Sequence, residues 1–198
     1  MGVPAENRAT LTTGSPNYYS SGPAEVLKLH RGIMFPNQPS ITYSQSVNYS
    51  PYELVHTNYT MQAYRNTPSP NISLTADFSQ TTDEEHAYLQ GVIHFLRSVT
   101  KMYYGQNEGN NPRAGTPPPV LRFSAYGTNI FSNVPVIITD FGVTFDNMVD
   151  LKTVAGQSLP TMQQITMTLT VQQSPARQKQ AFSLAGFISG SLYGGGFI

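Results

Sequence analysis

The chain has 198 residues, with 11 Lys and Arg against 11 Asp and Glu, so its formal net charge is zero. Charged residues make up 11% of it, whereas about 25% is usual for soluble domains, and this deficit predicts a surface largely covered by partners. The absence of Cys excludes disulfide scaffolds, thiolate metal sites and thiol catalysis. Zero net charge argues against a dedicated nucleic-acid binder, since phosphate neutralisation needs a basic surface.

The N-terminal segment is polar and rich in turn-forming residues, and its first 24 residues lack the apolar run of a secretory signal. We therefore expect residues 1–35 to form an N-terminal arm outside the core.

Alternation of apolar and polar residues, the period of a β-strand, begins after Pro39. It predicts a strand over residues 41–49. Two further alternating runs, residues 59–63 and 72–78, flank the turn cluster 66–71 and predict a hairpin.

One strong helix is predicted over residues 82–104. Thr82 and Glu85 have the spacing of a capping box, in which each side chain bonds the other's backbone N–H, and Gly105 follows as a helix-ending glycine. Apolar residues recur at steps of three and four, so the helix should cover a sheet. Residues 105–119 combine Gly, Asn and Pro and predict an exposed loop.

Three more strands are predicted over residues 120–126, 134–145 and 164–172. The second of these predicts that Ile137 shares a face with Phe141. The third alternates apolar residues strictly with threonine, which is typical of a sheet with one face in a core and one in water. About six strands and one helix indicate an α+β fold that is mainly β, with a mostly antiparallel sheet or open barrel.

The C-terminal segment from residue 181 carries no charge and contains five glycines. Gly186 and Gly190 have the spacing of a membrane helix contact, but the segment has only the minimum length for a span and its glycines weaken a helix. We expect residues 176–198 to form an apolar tail that docks on a neighbouring surface.

The histidines and acidic residues, which are the residue types that could bind a metal or act in catalysis, are better explained by structural roles. His86 and His94 are eight residues apart, too far for a helical metal site, and three of the four acids among Asp77 and residues 83–85 belong to the helix N-terminus rather than to a glycosidase pair. No nucleophile elbow or phosphate-binding glycine motif occurs. We expect no catalytic, metal or cofactor site, and a protein that is not an enzyme.

Charge is distributed unevenly along the chain. Residues 151–198 hold Lys152, Arg177 and Lys179 and no acid, which gives +3, while residues 1–150 hold 8 basic and 11 acidic residues, which gives −3. A molecule with a basic end and an acidic body can pair head to tail with copies of itself, the geometry that yields rings or stacks.

Most of the chain, about residues 31–175, resembles the baseplate tail-tube proteins of contractile-tailed bacteriophages, of the T-even tube initiator and tube cap type. The resemblance is carried by the stretches 31–64, 74–105 and 117–145, and most strongly by the blocks 94–102 (HFLRSVTKM), 117–127 (PPPVLRFSAYG) and 133–136 (NVPV).

The resemblance implies the phage tail-tube fold for residues 36–175: two packed antiparallel β-sheets, barrel-like, with one flanking helix. It also implies that six copies close into a ring whose inner strands form one barrel around a channel. Such a ring connects the baseplate hub to the tail tube and initiates tube polymerisation. The expected partners are the chain itself, the hub, the tail tube protein or a second tube ring, wedge or sheath proteins and the tape measure, with DNA only in transit and no membrane binding.

The expected location is the virion tail baseplate, assembled in the host cytoplasm. The barrel strands are expected at residues 58–65, 71–79, 134–145 and 163–172, with contacts through Tyr59, Met61, Ile72, Leu74, Val136, Ile138, Thr166, Thr168 and Thr170. Arms at residues 1–35 and 173–198 are expected to make ring-to-ring contacts through Arg31, Phe35, Arg177, Lys179 and Phe187.

An alternative function is a β-rich carbohydrate- or receptor-binding module of a phage tail. The twelve Tyr and the low charge suit such a module because aromatic faces stack on sugars, although the chain has no Trp. Binding of glycans by a monomer would distinguish it from a ring subunit.

Overall fold

A computed structural model describes residues 7–104 and 114–198. The chain is a mixed α/β protein that is mainly β, with 39% strand, 25% helix and antiparallel sheets. The expected mainly-β character is therefore confirmed.

Eleven strands, three α-helices and three 3-10 segments are present in the described residues. The strands are β1 (Thr10–Thr12), β2 (Gly32–Met34), β3 (Ser40–Ser44), β4 (Asn48–Tyr52), β5 (Met61–Asn66), β6 (Asn71–Ser79), β7 (Leu121–Ala125), β8 (Phe131–Phe145), β9 (Leu151–Val154), β10 (Gln157–Pro160) and β11 (Met162–Val171). The helices are α1 (Asp83–Val99), α2 (Pro175–Ala181) and α3 (Leu184–Ile188), and the 3-10 segments are Pro16–Tyr18, Gly22–His30 and Tyr193–Gly195.

Seven strands form one antiparallel sheet in the order β2-β1-β7-β8-β11-β6-β3, and two separate hairpins are β4–β5 and β9–β10. The predicted hairpin between residues 59–63 and 72–78 is wrong, because β5 pairs with β4 while β6 lies between β11 and β3. The predicted strand over residues 41–49 is also wrong, since it divides into β3 and β4 in different sheets. A fully buried apolar face directs β6 into the large sheet, whereas every residue of β5 is exposed.

The large sheet curls over its own core, so residues on strands that are not neighbours in the order meet. The rings of Phe35, just after β2, and Phe78, in β6, are 6.1 Å apart, and those of Tyr43 and Phe131 are 6.3 Å apart. One curled sheet therefore provides the packing for which the resemblance implied two sheets, whereas the residue patterns predicted a mostly antiparallel sheet or open barrel.

A β-bulge in β8 changes which of its side chains face the core. Thr168 pairs with Asp140 and Leu169 with Ile138, so Thr139 is the extra residue. Val134, Val136 and Ile138 face the core before the bulge, and Phe141 and Val143 face it afterwards. Ile137 pairs with Thr170 on the opposite face, so the predicted common face of Ile137 and Phe141 is wrong.

The predicted start of α1 is confirmed, and its end lies earlier than expected. Thr82 accepts a hydrogen bond from the Glu85 N–H at 3.2 Å, and the Glu85 carboxylate accepts one from the Thr82 N–H at 2.9 Å. The helix ends at Val99 rather than at residue 104, because the backbone of Tyr103 turns away to pair with Thr116. Gly105 and the predicted loop as far as residue 113 lie outside the described residues.

The 3-10 segment Gly22–His30 packs across α1 at Gly91. A Cβ atom at this glycine would lie 2.8 Å from the carbonyl oxygen of Pro23 and 2.6 Å from a methyl carbon of Val26. Glycine is therefore required for this close approach.

The expectation that residues 1–35 form an arm outside the core is wrong for the described part. β1 lies between β2 and β7 in the large sheet, and it buries Leu11 completely. Leu27, Ile33 and Phe35 are also fully buried in the same core. Strands of three residues are too short to show a hydrophobic period, which is why the sequence did not reveal them.

The C-terminal tail contains two short helices, each with a serine N-cap, and folds back on its own chain. Phe197 is buried, and its ring packs 5.7 Å from that of Phe182. A Cβ at Gly196 would lie 2.5 Å from the carbonyl oxygen of Asn133 in β8, so the end of the tail sits directly on the sheet. None of the described helices is long and apolar enough to cross a membrane.

Candidate assembly interface

One edge of the large sheet is closed by a side chain of α1. The Tyr88 hydroxyl donates to the Met34 carbonyl at 2.7 Å and accepts from the Met34 N–H at 2.9 Å. Burial raises the pKa of Tyr88, so its hydroxyl stays protonated and able to donate. β2 therefore has its outward backbone groups at Met34 occupied, which blocks addition of another strand there.

The opposite edge of the sheet is open. β3 pairs with β6 along one side, and no other strand in the described parts of the chain pairs with its outer side. The side chains of β3 are mostly exposed. An open strand of this kind offers unpaired backbone N–H and C=O groups to another chain.

β8 provides a second open edge. Its first part, residues 131–136, pairs with β7, but residues 137–145 pair only with β11 among residues 7–104 and 114–198. The four strands β3, β6, β11 and the second part of β8 thus form a unit with an open edge on each side. Because neighbours are antiparallel, β3 and β8 run in opposite directions.

The face of this four-stranded unit that points away from the core is mainly polar. It is made by alternate residues of each strand, with Ile137 and Met162 as its apolar members and these residues as the rest: Ser40, Thr42 and Ser44; Asn71, Ser73, Thr75, Asp77 and Ser79; Asp140, Gly142 and Thr144; and Gln164, Thr166, Thr168 and Thr170. Its only charged residues are the acids Asp77 and Asp140. Gln164 donates to the Asp77 carboxylate at 3.0 Å, and the Thr170 hydroxyl donates to Asn71 Oδ1 at 2.7 Å, so the polar side chains are linked across strands.

The residues predicted for barrel contacts are found in three different environments. Thr166, Thr168 and Thr170 lie half-buried on the polar face, as the alternation predicts. Ile72, Leu74 and Val136 are buried in the core of the single chain, and Ile138 packs against it. The three buried side chains cannot contact another copy, so the contribution of these residues is limited to their backbone.

The predicted strand 58–65 lies outside the four-stranded unit. Tyr59 is in the loop between β4 and β5 and is 87% exposed, and Met61 begins β5. The β4–β5 hairpin projects from the end of β3 and carries exposed Tyr49, Tyr52 and Tyr64 as well. A two-stranded hairpin is marginally stable alone, so this exposed apolar surface is typical of one that packs against a partner.

The predicted stacking residues are also dispersed. Phe35 is fully buried, so its predicted role in ring-to-ring contacts is wrong. Arg31 is exposed at the end of the Gly22–His30 segment. Arg177 donates to the Gly195 carbonyl and lies 5.6 Å from the centre of the Phe197 ring, which fixes the tail. Lys179 is exposed, and Phe187 packs 6.0 Å from Phe182.

A groove of about 630 Å³ with both polar and apolar walls separates the base of the β4–β5 hairpin from the tail. Its walls include Tyr64, Pro68, Phe182, Leu184 and Phe187. The groove lies at the end of the sheet where β6 begins and β11 ends. Sequence reasoning missed it because it is formed by segments more than 100 residues apart.

The described residues contain no group of three or more His, Asp or Glu side chains placed to hold a metal ion. His86 is buried while His94 is exposed on the same helix. Asp83 forms an ion pair with Lys152 at 3.1 Å, and Glu85 is occupied in the helix cap. These acids are therefore engaged in structural contacts.

No protein-family model matches the chain, and no significantly similar curated protein was found.

Proposed function

We propose that this protein is a structural subunit that closes into a homomeric ring by pairing its two open strand edges, and that the ring is a six-fold ring of a phage baseplate with the tail-tube fold. In this proposal the ring connects the central hub to the tail tube and initiates tube polymerisation. The number of copies and the place in the virion come from the resemblance of residues 31–175 to tail-tube proteins.

The observation that carries the proposal is the pair of open edges on one four-stranded unit. β3 of one copy would pair with residues 137–145 of β8 in the next, and because these strands run in opposite directions the new pairing would be antiparallel like the others. The contact joins two different surfaces, and such a heterologous contact generates a ring when the rotation between copies closes. Closure leaves neither open edge of the four-stranded unit exposed, which removes an aggregation hazard there.

Ring closure by six copies sets the size of the channel. Four strands from each copy, about 4.8 Å apart and tilted by roughly 40°, give a barrel with a backbone diameter of roughly 45–50 Å. Because the core face of each unit is covered by its own chain, the polar face would line this channel. A lining made mainly of Thr, Ser and Asn, with Ile137 and Met162 as its apolar members and Asp77 and Asp140 as its charges, would let DNA pass, since it offers no cation to bind phosphate.

The β4–β5 hairpin favours the second candidate function, a carbohydrate- or receptor-binding module of a phage tail. Four of its tyrosines are exposed, which is what stacking on sugars needs. Tyr49 and Tyr64, however, pack edge to face on each other with ring centres 6.0 Å apart. The open edges have no role in this second candidate function.

Electron microscopy and mass measurement of the purified protein test the proposal. We expect a ring with a central channel and a mass six times that of the 21.7 kDa chain, either alone or after addition of hub or tube proteins as template. A monomer that joins neither hub nor tube proteins and binds glycans would overturn the proposal in favour of the binding module.

A further inference from the structure

Two arginines from distant parts of the chain, Arg122 in β7 and Arg177 in α2, meet where the C-terminal tail contacts β8. Arg122 Nη1 donates to the carbonyl oxygen of Asn133 at 3.3 Å, and Arg177 donates to the carbonyl oxygen of Gly195. The next residue, Gly196, sits directly on the same Asn133 carbonyl, since a Cβ there would lie 2.5 Å from its oxygen. Both guanidinium groups are therefore anchored within one residue of a single contact.

The surroundings of each arginine fix its side chain. Leu121 and Phe123 are buried in the core, so Arg122 between them leaves β7 on the opposite face of the sheet. Arg177 lies 5.6 Å from the centre of the Phe197 ring, a cation–π contact that holds it against the tail. Both arginines are half-buried. A ligand that binds the pair therefore does not have to order two mobile side chains.

The positive charges of this arginine pair are not balanced by acids. Among residues 7–104 and 114–198 the ion pair is that of Lys152 with Asp83, and neither arginine pairs with a carboxylate. Partial burial and the nearby charge of Arg177 lower the pKa of Arg122, so a positive charge is disfavoured there. A guanidinium group has five N–H donors, and within the described residues each arginine uses one of them. An anion would supply both the missing charge and the missing acceptors.

We propose that Arg122 and Arg177 form a binding site for a phosphate dianion, as free inorganic phosphate or as the end group of a phosphomonoester. A dianion balances both positive charges, and a tetrahedral phosphate has enough oxygen atoms to accept from two guanidinium forks, whereas one carboxylate is matched by a single fork. The site joins β7 to α2, so a bound phosphate holds the tail against the sheet. It lies outside the four-stranded unit and does not depend on the proposed ring.

Isothermal titration calorimetry of the full chain tests the site. Sodium phosphate is added at about pH 8, where it is mainly a dianion, with sodium chloride keeping the ionic strength constant. We expect saturable binding of one phosphate per chain. Arg122→Gln should weaken this binding at least about tenfold, because one charge-assisted contact is lost. Arg97→Gln, which removes an exposed arginine of α1, is the matched control and should bind phosphate like the unchanged protein.

Thermal unfolding separates a binding role of Arg122 from a structural one. Arg122→Gln removes the repulsion between two guanidinium groups, so in sodium chloride its unfolding midpoint should equal or exceed that of the unchanged protein. Phosphate should raise the midpoint of the unchanged protein but not that of the variant, because only the folded site binds it. Arg122→Lys keeps the charge, loses the fork and should weaken binding less, and it provides the same comparison if Arg122→Gln does not fold.

Proteolysis of the tail provides a readout that does not depend on measured affinity. Lys179 is exposed in α2, two residues after Arg177, so trypsin can cleave after it when the tail leaves the sheet. Phosphate should slow this cleavage several-fold in the unchanged protein and in Arg97→Gln. In Arg122→Gln the cleavage rate should be the same with and without phosphate.

Three further ligands identify the source of the phosphate and set the limits of the proposal. Tighter binding of inorganic phosphate than of methyl phosphate indicates the free anion, and the reverse indicates a phosphomonoester. No saturable binding of either up to about 10 mM, or equally strong binding of acetate, would overturn the proposal. Binding of duplex DNA without binding of inorganic phosphate, or an equal loss of phosphate binding in Arg97→Gln and Arg122→Gln, would overturn it as well.

Discussion

The N-terminal cap of α1 makes the stability of the fold depend on pH through one carboxylate, that of Glu85. The backbone N–H groups of Thr82 and Thr81 donate to Glu85 and lower its pKa below the ordinary 4.5. Because the lowered pKa belongs to the folded chain, the carboxylate stabilises the fold above its ordinary pKa, and this contribution is lost as the pH falls through the lowered value.

We predict that Glu85→Gln lowers the thermal unfolding midpoint at neutral pH, because the amide is a weaker acceptor for the two N–H groups than the carboxylate. The difference from the unchanged protein should close as the pH falls through the lowered pKa. Thermal unfolding followed by circular dichroism across this pH range measures it. Glu84→Gln, in the same turn but outside the cap, is the control, and an equal and pH-independent loss in both variants would contradict the account.

Tyr88 is the residue that closes the β2 edge, and its hydroxyl satisfies two backbone groups of Met34. We predict that Tyr88→Phe lowers the free energy of unfolding by about 1–3 kcal/mol, because a part-buried N–H and C=O lose their partner. Denaturant unfolding measures the change. Tyr104→Phe removes a hydroxyl from an 85% exposed side chain and should have little effect, so equal effects of the two variants would count against the edge-closing role.

At the scale of elements, the contact between α1 and the Gly22–His30 segment depends on a missing side chain. In most helices Gly→Ala is stabilising by about 1 kcal/mol. At Gly91 the new Cβ would approach the Pro23 carbonyl oxygen and Val26 too closely, so we predict that Gly91→Ala instead destabilises the protein by about 1–3 kcal/mol. Gln90→Ala, next to it in the helix, controls for helix propensity, and a rise in the unfolding midpoint of Gly91→Ala would contradict the close packing.

The elements that the sequence predicted are those whose signals are local. β6 and β11 alternate over nine or more residues, β8 is a long run rich in apolar residues, and the capping box of α1 lies within four residues, so pattern and spacing were sufficient to predict these elements. The bulge at Thr139 was not predictable, because it depends on pairing with β11. The hairpin partner of β5 was also predicted wrongly, because pairing again depends on distant residues. Proximity in sequence favoured β6, but the buried face of β6 places it in the large sheet, and β5 pairs with β4.

The candidate interface was predictable only in part. The strict alternation of apolar residues with threonine in β11 indicated a solvent-facing side of the sheet. In the structure this side extends across four strands. The open and closed edges could not be predicted, because whether an edge is free depends on distant residues. Tyr88 closes β2 through Met34, which is 54 positions earlier in the chain, and nothing near either residue in the sequence indicates the contact.

At the scale of the whole molecule, the proposed ring depends on one contact, the pairing of β3 of one copy with the second part of β8 in the next. A cysteine pair tests it directly, because the chain has no native Cys. Within one chain β6 and β11 separate β3 from β8 by roughly 14 Å, whereas a disulfide needs Cα atoms within about 7 Å, so any bond joins two copies.

The measurement is oxidative cross-linking of Thr42→Cys combined in turn with Asp140→Cys or Thr144→Cys, with Thr42→Cys plus Thr128→Cys as a surface control. We predict that at least one of the first two pairs gives a ladder of covalent species that stops at six chains, with a mass six times 21.7 kDa. The control pair should give no such ladder. Absence of cross-links in both pairs, or a ladder equally strong in the control, would contradict pairing of the open edges.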